Sequence, residues 1–172
     1  MAREALPQYR DILPDDVKAV LLVEQVGTDQ DEVMEKIENT SLVVKNFITR
    51  KNLFLDEQQQ ERLWKSRKDA VPLLYRKKGR KHPIPFIEDV SVDNTKLDEY
   101  IGGLEKIGKK HEIEMSYYGH AGDGELHIRP YLDLSDAGDV KKMLAVADEV
   151  FSLAWSLGGS ISGEHADGLV RA

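Results

Sequence analysis

Two histidines, His120 and His127, flank a glycine-rich stretch within the sequence GHAGDGELH. The chain has five histidines in 172 residues, so this turn concentrates groups that can bind a metal or move a proton. If the Gly-Asp pair at 122–123 forms the tip of a β-hairpin, the two histidines are diagonal neighbours, about 7–8 Å apart between Cα atoms. Glu125 lies on the same face, because side chains alternate along a strand. Two imidazoles and a carboxylate on one surface can bind a divalent metal.

A second glycine-rich stretch, GGSISGEHADG, contains Glu164 and His165. A flexible backbone that carries a Glu-His pair is typical of a binding loop, and we expect it to complete one site with the hairpin. Two alternatives remain open. The hairpin histidines could be ordinary hydrogen-bonding residues on a sheet surface, and the second stretch could be a disordered terminal tail. Ordering such a tail costs about 1–2 kcal/mol per residue, so we expect the chain alone to bind metal weakly or not at all.

Composition limits the classes of function. The net charge of −7 argues against nucleic-acid binding, which usually requires a basic face, and we expect the basic run at 76–82 to be a solvated loop. The chain has no cysteine, so any metal ligands must be His, Asp or Glu. No apolar run approaches the roughly 18–20 residues of a membrane span, and no signal peptide is evident. We therefore expect a cytoplasmic or membrane-peripheral protein with no transmembrane segment.

Hydrophobic spacing and turn residues predict an α+β fold. The expected architecture is a ferredoxin-like antiparallel sheet with helices on one face and a helical insertion. A proline at 72 is expected to end or kink one helix, and a glycine at 158 suits a helix C-terminus. The predicted strands are 18–26, 47–54 and 83–92 with a hairpin over 112–134, and the predicted helices are 29–46, 56–76, 95–110 and 135–157.

The two glycine-rich stretches together resemble a known family. GHAGDGELH resembles the G-H-x-G-D-G-N-L-H motif of the C-terminal domain of FAD-linked oxidases, and GGSISGEHADG resembles that family's G-G-x-x-S-G-E-H-G motif. LWKSRKDA resembles its W-x-x-R stretch, and FIEDVSV resembles its strand ending in Asp-Val-Ser. The family includes flavoenzymes that dehydrogenate glycolate, D-lactate and D-2-hydroxyglutarate. The resemblance implies that residues 1–172 are the cap and substrate domain of such an enzyme, a fragment that is inactive without its FAD-binding lobe.

The resemblance also implies roles for individual residues. His120, His127 and Glu164 match a set that holds a divalent metal in several members, here zinc or manganese. His165 matches the histidine proposed to accept the proton of the substrate hydroxyl. Arg67 matches an arginine that faces the carboxylate of a 2-hydroxy acid. FAD, bound mainly by the absent lobe, would take the hydride.

Some positions depart from the family pattern. Glu125 stands where the hairpin motif has Asn, Ala166 where the second motif has Gly, and Ile87 where many members have Lys. The endings LHIRP and DGLVR resemble large members fused to an iron–sulfur oxidoreductase portion, and this resemblance implies an iron–sulfur partner. Two other functions stay open: a free-standing metal-dependent hydrolase that uses the same three ligands, and a ligand-sensing α+β module without chemistry.

Overall fold

The computed structural model describes residues 7–12, 16–76 and 79–165. The chain divides into two compact units, Met1–Arg76 and Lys77–Ala172. None of the helices in the described ranges combines the length and apolar character that a bilayer crossing requires. The described helices are α1 (Gln30–Val44), α2 (Glu57–Leu74), α3 (Leu97–His111) and α4 (Ala137–Ser156), and the described strands are β1 (His82–Pro83), β2 (Ile87–Ser91), β3 (Met115–His120) and β4 (Glu125–Leu132).

The first unit contains α1 and α2, which form where the sequence predicted helices. The side chain of Asp29 caps α1 by accepting a hydrogen bond from the backbone N–H of Glu32 at 2.9 Å, as expected for an acidic N-cap. In α2, Pro72 lies in the last turn, and the helix continues to Leu74 instead of ending at the proline. A proline so close to the helix end removes only one of the last hydrogen bonds, which the helix tolerates.

Two strands predicted in the first unit are not formed, so this part of the prediction is wrong. No residue of 18–26 or 47–54 belongs to a strand, and large apolar side chains there are exposed, Val26 by 72% and Phe47 by 88%. A strand needs the hydrogen bonds of a neighbouring strand, and no described residue of this unit supplies them. The ferredoxin-like strand order is therefore not complete in the described chain.

The second unit is built around β4. This strand lies between β3 and β2, pairs with β1 near its C-terminal end, and is antiparallel to all three. Helices α3 and α4 cover one face of the sheet, which confirms the α+β class and the helices on one face. The core between sheet and helices consists of fully buried side chains from both layers, among them Val90, Ile128, Tyr100, Leu104, Val146 and Val150.

The two faces of β4 differ in character although the whole strand is buried. Leu126, Ile128 and Leu132 belong to the apolar core. Because side chains alternate along a strand, Glu125, His127 and Arg129 lie on the opposite face of the sheet. Buried charged groups require partners, so this polar face is where a functional site would be built.

Two glycines of the hairpin tip differ in the space that a side chain would find there. Gly124 has a left-handed φ of 69°, and a Cβ there would collide with the carbonyl oxygen of Val92, whereas a Cβ on Gly122 meets nothing within 4 Å. We expect Gly124→Ala to lower the free energy of unfolding by about 2 kcal/mol or more. Gly122→Ala, the matched control, should change it by less than about 0.5 kcal/mol. Urea denaturation of both variants checks this, and equal losses would contradict the described turn.

Candidate metal and substrate site

The hairpin places the two histidines as the sequence predicted. His120 is paired with Glu125 across the ladder, and Tyr118 is paired with His127. The rings of His120 and His127 have centroids 5.6 Å apart and meet edge to face. The predicted register and the shared face of the two histidines are therefore confirmed. A short 3-10 turn at Ala121–Asp123 closes the tip.

His127 is oriented for coordination by its second nitrogen. Its Nδ1 lies 2.7 Å from the backbone carbonyl oxygen of Glu88, and because a carbonyl only accepts, Nδ1 must carry the hydrogen. Nε2 then presents a lone pair, the usual arrangement of a metal-binding histidine. Burial, reinforced by the neighbouring His165 and His120, lowers the pKa of His127 against the opposing hydrogen bond to Glu88. The neutral imidazole, the form that binds metals, is thus favoured.

The loop that carries Glu164 is attached to β2 by described hydrogen bonds. Ser91 and Ser160 exchange two backbone hydrogen bonds of 3.0 and 2.9 Å, which attach the start of the loop to β2. At Gly163 a Cβ would lie 3.1 Å from the backbone oxygen of Asp89, so the glycine permits a close approach. These contacts favour the binding loop over the alternative of a disordered tail for the residues up to His165. Residues 166–172, including the Ala166 departure, lie outside the described chain.

Glu164 joins the hairpin histidines around a common point. Its Oε1 lies 3.6 Å from Nε2 of His120 and 3.3 Å from Nε2 of His127. Ligand atoms of the three residues all lie within 4.8 Å of one another. Ligands placed about 2.1 Å from one ion lie roughly 3.0–3.5 Å apart. The two distances to Oε1 of Glu164 are close to this range, and two imidazoles with one carboxylate are a donor set that suits a divalent cation.

His165 lies beside the same carboxylate. Its ring stacks on that of His127 with centroids 5.0 Å apart and planes 4° from parallel, and its Nε2 is 3.1 Å from Oε1 of Glu164. Its Nδ1 faces the carboxylate of Asp89 at 3.6 Å. The structure thus brings together all four residues that the two motifs predicted.

Excess negative charge surrounds the predicted ligands. Glu125 is 4% exposed, and its Oε1 has no hydrogen-bond partner among the described residues. Burial, followed by the charges of Glu164 and Asp89, raises the pKa of Glu125 to about 7. A buried carboxylate oxygen without a donor is costly, and a nearby cation would offset that cost. This orphaned oxygen is a second observation that fits a metal.

Sequence reasoning missed a buried ion pair on the same face. Arg129 pairs with Glu88, and it also donates to the hydroxyl of Tyr118 from Nε at 3.2 Å and Nη2 at 2.9 Å. The available signal was alternation along β4, which places Arg129 on the face of His127. Ile87, by contrast, is 1% exposed within the apolar core, so this position offers no contact to a substrate.

A further missed residue is Asp89. It is 1% exposed and accepts hydrogen bonds from the loop that carries Glu164. Burial alone would raise its pKa, but the hydrogen bonds from His165, Glu164 and Ser162 outweigh that effect and lower it. Asp89 is therefore ionised. Its signal in the sequence was the motif FIEDVSV, which indicated a strand and no role.

Arg67 belongs to the first unit. It lies on α2 and is half-buried. The four clustered site residues all belong to the second unit. The role of Arg67 at a substrate carboxylate stays a prediction.

Comparison with known proteins defines the class. The family model of the C-terminal domain of FAD linked oxidases matches residues 1–172, so the chain belongs to this family. D-2-hydroxyglutarate dehydrogenase of Haemophilus influenzae is 40% identical over 109 residues, which cover 63% of this chain and 11% of that protein. Glycolate oxidase subunit GlcD of Bacillus subtilis is 32% identical over 162 residues, 93% of this chain and 33% of that protein.

A shorter match extends to a third kind of enzyme. D-lactate dehydrogenase of Anaerostipes hadrus is 37% identical over 81 residues, 46% of this chain and 17% of that protein. The chain thus spans between 11% and 33% of the length of these curated relatives.

Proposed function

We propose that this domain forms the metal-assisted substrate site of an FAD-dependent dehydrogenase of 2-hydroxy acids. The observation that carries the proposal is the convergence of His120, His127 and Glu164, whose ligand atoms lie within 4.8 Å of one another, with His165 beside them. The relatives are named for D-2-hydroxyglutarate, glycolate and D-lactate. All three compounds are 2-hydroxy acids, which supports this substrate class.

His120, His127 and Glu164 would hold the cation, with zinc or manganese as the metals that suit imidazole and carboxylate ligands. A divalent ion bound there supplies a Lewis acid that polarises the 2-hydroxyl of the substrate and eases its deprotonation. The hydrogen bond from Nδ1 of His127 to Glu88 fixes the ring so that Nε2 stays directed at the site. Burial of His127 excludes water from one side of the ligand set.

His165 would accept the hydroxyl proton at Nε2, the nitrogen that faces the carboxylate oxygen of Glu164. Its Nδ1 faces Asp89, and this anion stabilises the imidazolium that forms, as a buried carboxylate does behind a catalytic histidine. FAD, when bound, would supply the acceptor for the hydride from C2 of the substrate. The substrate would then leave as the 2-oxo acid, with its hydroxyl proton on His165.

Partners outside the chain belong to the same proposal. The FAD-binding portion of the parent protein would hold most of the cofactor. Within this chain, Arg67 would face the substrate carboxylate as a bidentate donor.

The iron–sulfur portion and a cytoplasmic location rest on the sequence and stay predictions. Membership of the FAD-linked oxidases argues against the hydrolase and sensor alternatives.

The test is anaerobic flavin reduction in the full-length protein. D-2-hydroxyglutarate, D-lactate and glycolate are each mixed with the oxidised protein, and the flavin absorbance is followed with time. We expect at least one acid to bleach the flavin. Chelation of the metal should slow this reduction by about 100-fold or more, and added zinc or manganese should restore the rate. Equal rates before and after complete metal removal would refute the metal-assisted mechanism.

A further inference from the structure

We infer that Asp89 is the positioning residue of this site, the group that holds both Glu164 and His165 in place. The inference rests on the proposed function for its catalytic consequence and on geometry for its structural part. Asp89 lies in β2, is 1% exposed, and is neither a proposed metal ligand nor the proposed base. It therefore acts through the two loop residues.

The carboxylate of Asp89 collects hydrogen bonds from four successive residues. Oδ2 accepts from the hydroxyl of Ser162 at 2.9 Å and from the backbone N–H of Gly163 at 3.1 Å. Oδ1 accepts from the backbone N–H groups of Glu164 at 3.1 Å and His165 at 2.9 Å. Both oxygens are thus satisfied by the loop, and the backbone of both functional residues is attached to β2.

A β-bulge explains why Asp89 can reach the loop. Ile87 is paired with Ile128 and Val90 with Leu126. Between these pairs β2 therefore contains two residues and β4 only one. Ile87 and Val90 both belong to the apolar core. The bulge lets both residues between them, Glu88 and Asp89, face the polar side, because bulges change the direction of side chains next to functional sites.

The anchoring determines where the functional side chains lie. With its backbone held, Glu164 extends its carboxylate to 3.3 Å from Nε2 of His127. His165 is held where its ring stacks on His127. The other described attachments of the loop to β2 are backbone hydrogen bonds, the pair of Ser91 with Ser160 and the bond of 2.7 Å from the N–H of Gly163 to the carbonyl oxygen of Asp89. Neither of them involves the backbone N–H of Glu164 or of His165, and in the described chain it is the Asp89 carboxylate that holds both.

The decisive variant is Asp89→Asn in the full-length protein, because an amide keeps the size but presents a donor to groups that are themselves donors. Asp139→Asn is the matched control, since Asp139 is also buried, at 6% exposed, and accepts a backbone hydrogen bond of 2.9 Å from Asp133. Three quantities are measured in each: backbone amide hydrogen exchange, affinity for zinc or manganese, and kcat with saturating metal.

We expect Asp89→Asn to increase exchange at the amides of Glu164 and His165, to weaken metal affinity about 10–100-fold, and to lower kcat by a similar factor. Asp139→Asn should leave all three unchanged per folded protein. Exchange that is already fast at these amides in the wild type, or equal effects of the two variants, would overturn the inference.

The exchange and metal measurements separate this inference from the proposed function. If the wild type oxidises no 2-hydroxy acid but Asp89→Asn still loosens the two amides selectively and weakens metal binding, the proposed function fails and the positioning role stands. If the wild type is active and Asp89→Asn keeps wild-type exchange, metal affinity and kcat, the positioning role fails alone.

Discussion

Replacing His127 with asparagine in the full-length protein is expected to lower turnover by about 100-fold or more while the FAD content stays at the wild-type level. Asparagine can still donate a hydrogen bond to the carbonyl of Glu88, which now accepts from Nδ1 at 2.7 Å. It has no atom in the place of Nε2, so the metal loses a ligand. The lost Lewis-acid stabilisation is worth several kcal/mol, and each 1.4 kcal/mol is tenfold in rate.

The measurements are turnover, metal content by elemental analysis and flavin absorbance on the same samples. His82→Asn is the control, because His82 is an exposed histidine of β1 in the same unit and should keep all three values. Full activity of His127→Asn with the metal still bound would contradict the ligand role. It would instead support the alternative that His120 and His127 are ordinary hydrogen-bonding residues on a hairpin.

Removal of the His165 side chain is expected to lower kcat by about 10²–10⁴-fold, the range that general bases contribute. The metal should remain bound, because the three proposed ligands are untouched. The loop should also remain in place, because the hydrogen bond from residue 165 to Asp89 comes from the backbone N–H. Alanine at this position therefore removes the base with little other change.

Two further measurements on His165→Ala distinguish a base from a ligand. Added imidazole should restore part of the activity, since it can accept the proton in the space that the side chain leaves. Metal content should equal that of the wild type. Nε2 of His165 lies 3.1 Å from Oε1 of Glu164, so loss of the metal in this variant would indicate that His165 is a ligand. Activity near the wild-type level would contradict the role of His165 as the base.

Local sequence signals were sufficient for the hairpin and the four helices. A glycine-rich turn centred on residues 122–123 between alternating strands fixes the register, so the shared face of His120 and His127 followed from a few residues. The strands expected at 18–26 and 47–54 failed because apolar content does not specify a partner. Strand pairing is a property of distant residues, and no described residue supplies it there.

The sequence predicted which four residues lie together, but it did not predict Asp89, which holds the loop that carries two of them. Strict alternation through Ile87, Glu88 and Asp89 would place Asp89 on the core side with Ile87. The bulge, which the sequence does not reveal, places it under the loop. Its partners Ser162 and His165 are 73 and 76 residues away in the chain. For the same reason the sequence left a disordered tail open as an alternative to a binding loop, since the group that stabilises the loop is remote in sequence.

The proposed metal site is tested most directly by X-ray absorption at the zinc edge on the zinc-loaded full-length protein. Nitrogen and oxygen ligands at about 2.0–2.1 Å, with the outer-shell scattering of two imidazoles, are the expected spectrum. His120→Asn and His127→Asn should each reduce the imidazole contribution to one. A spectrum without histidine scattering, or one that neither substitution changes, would contradict a metal centre formed by His120, His127 and Glu164.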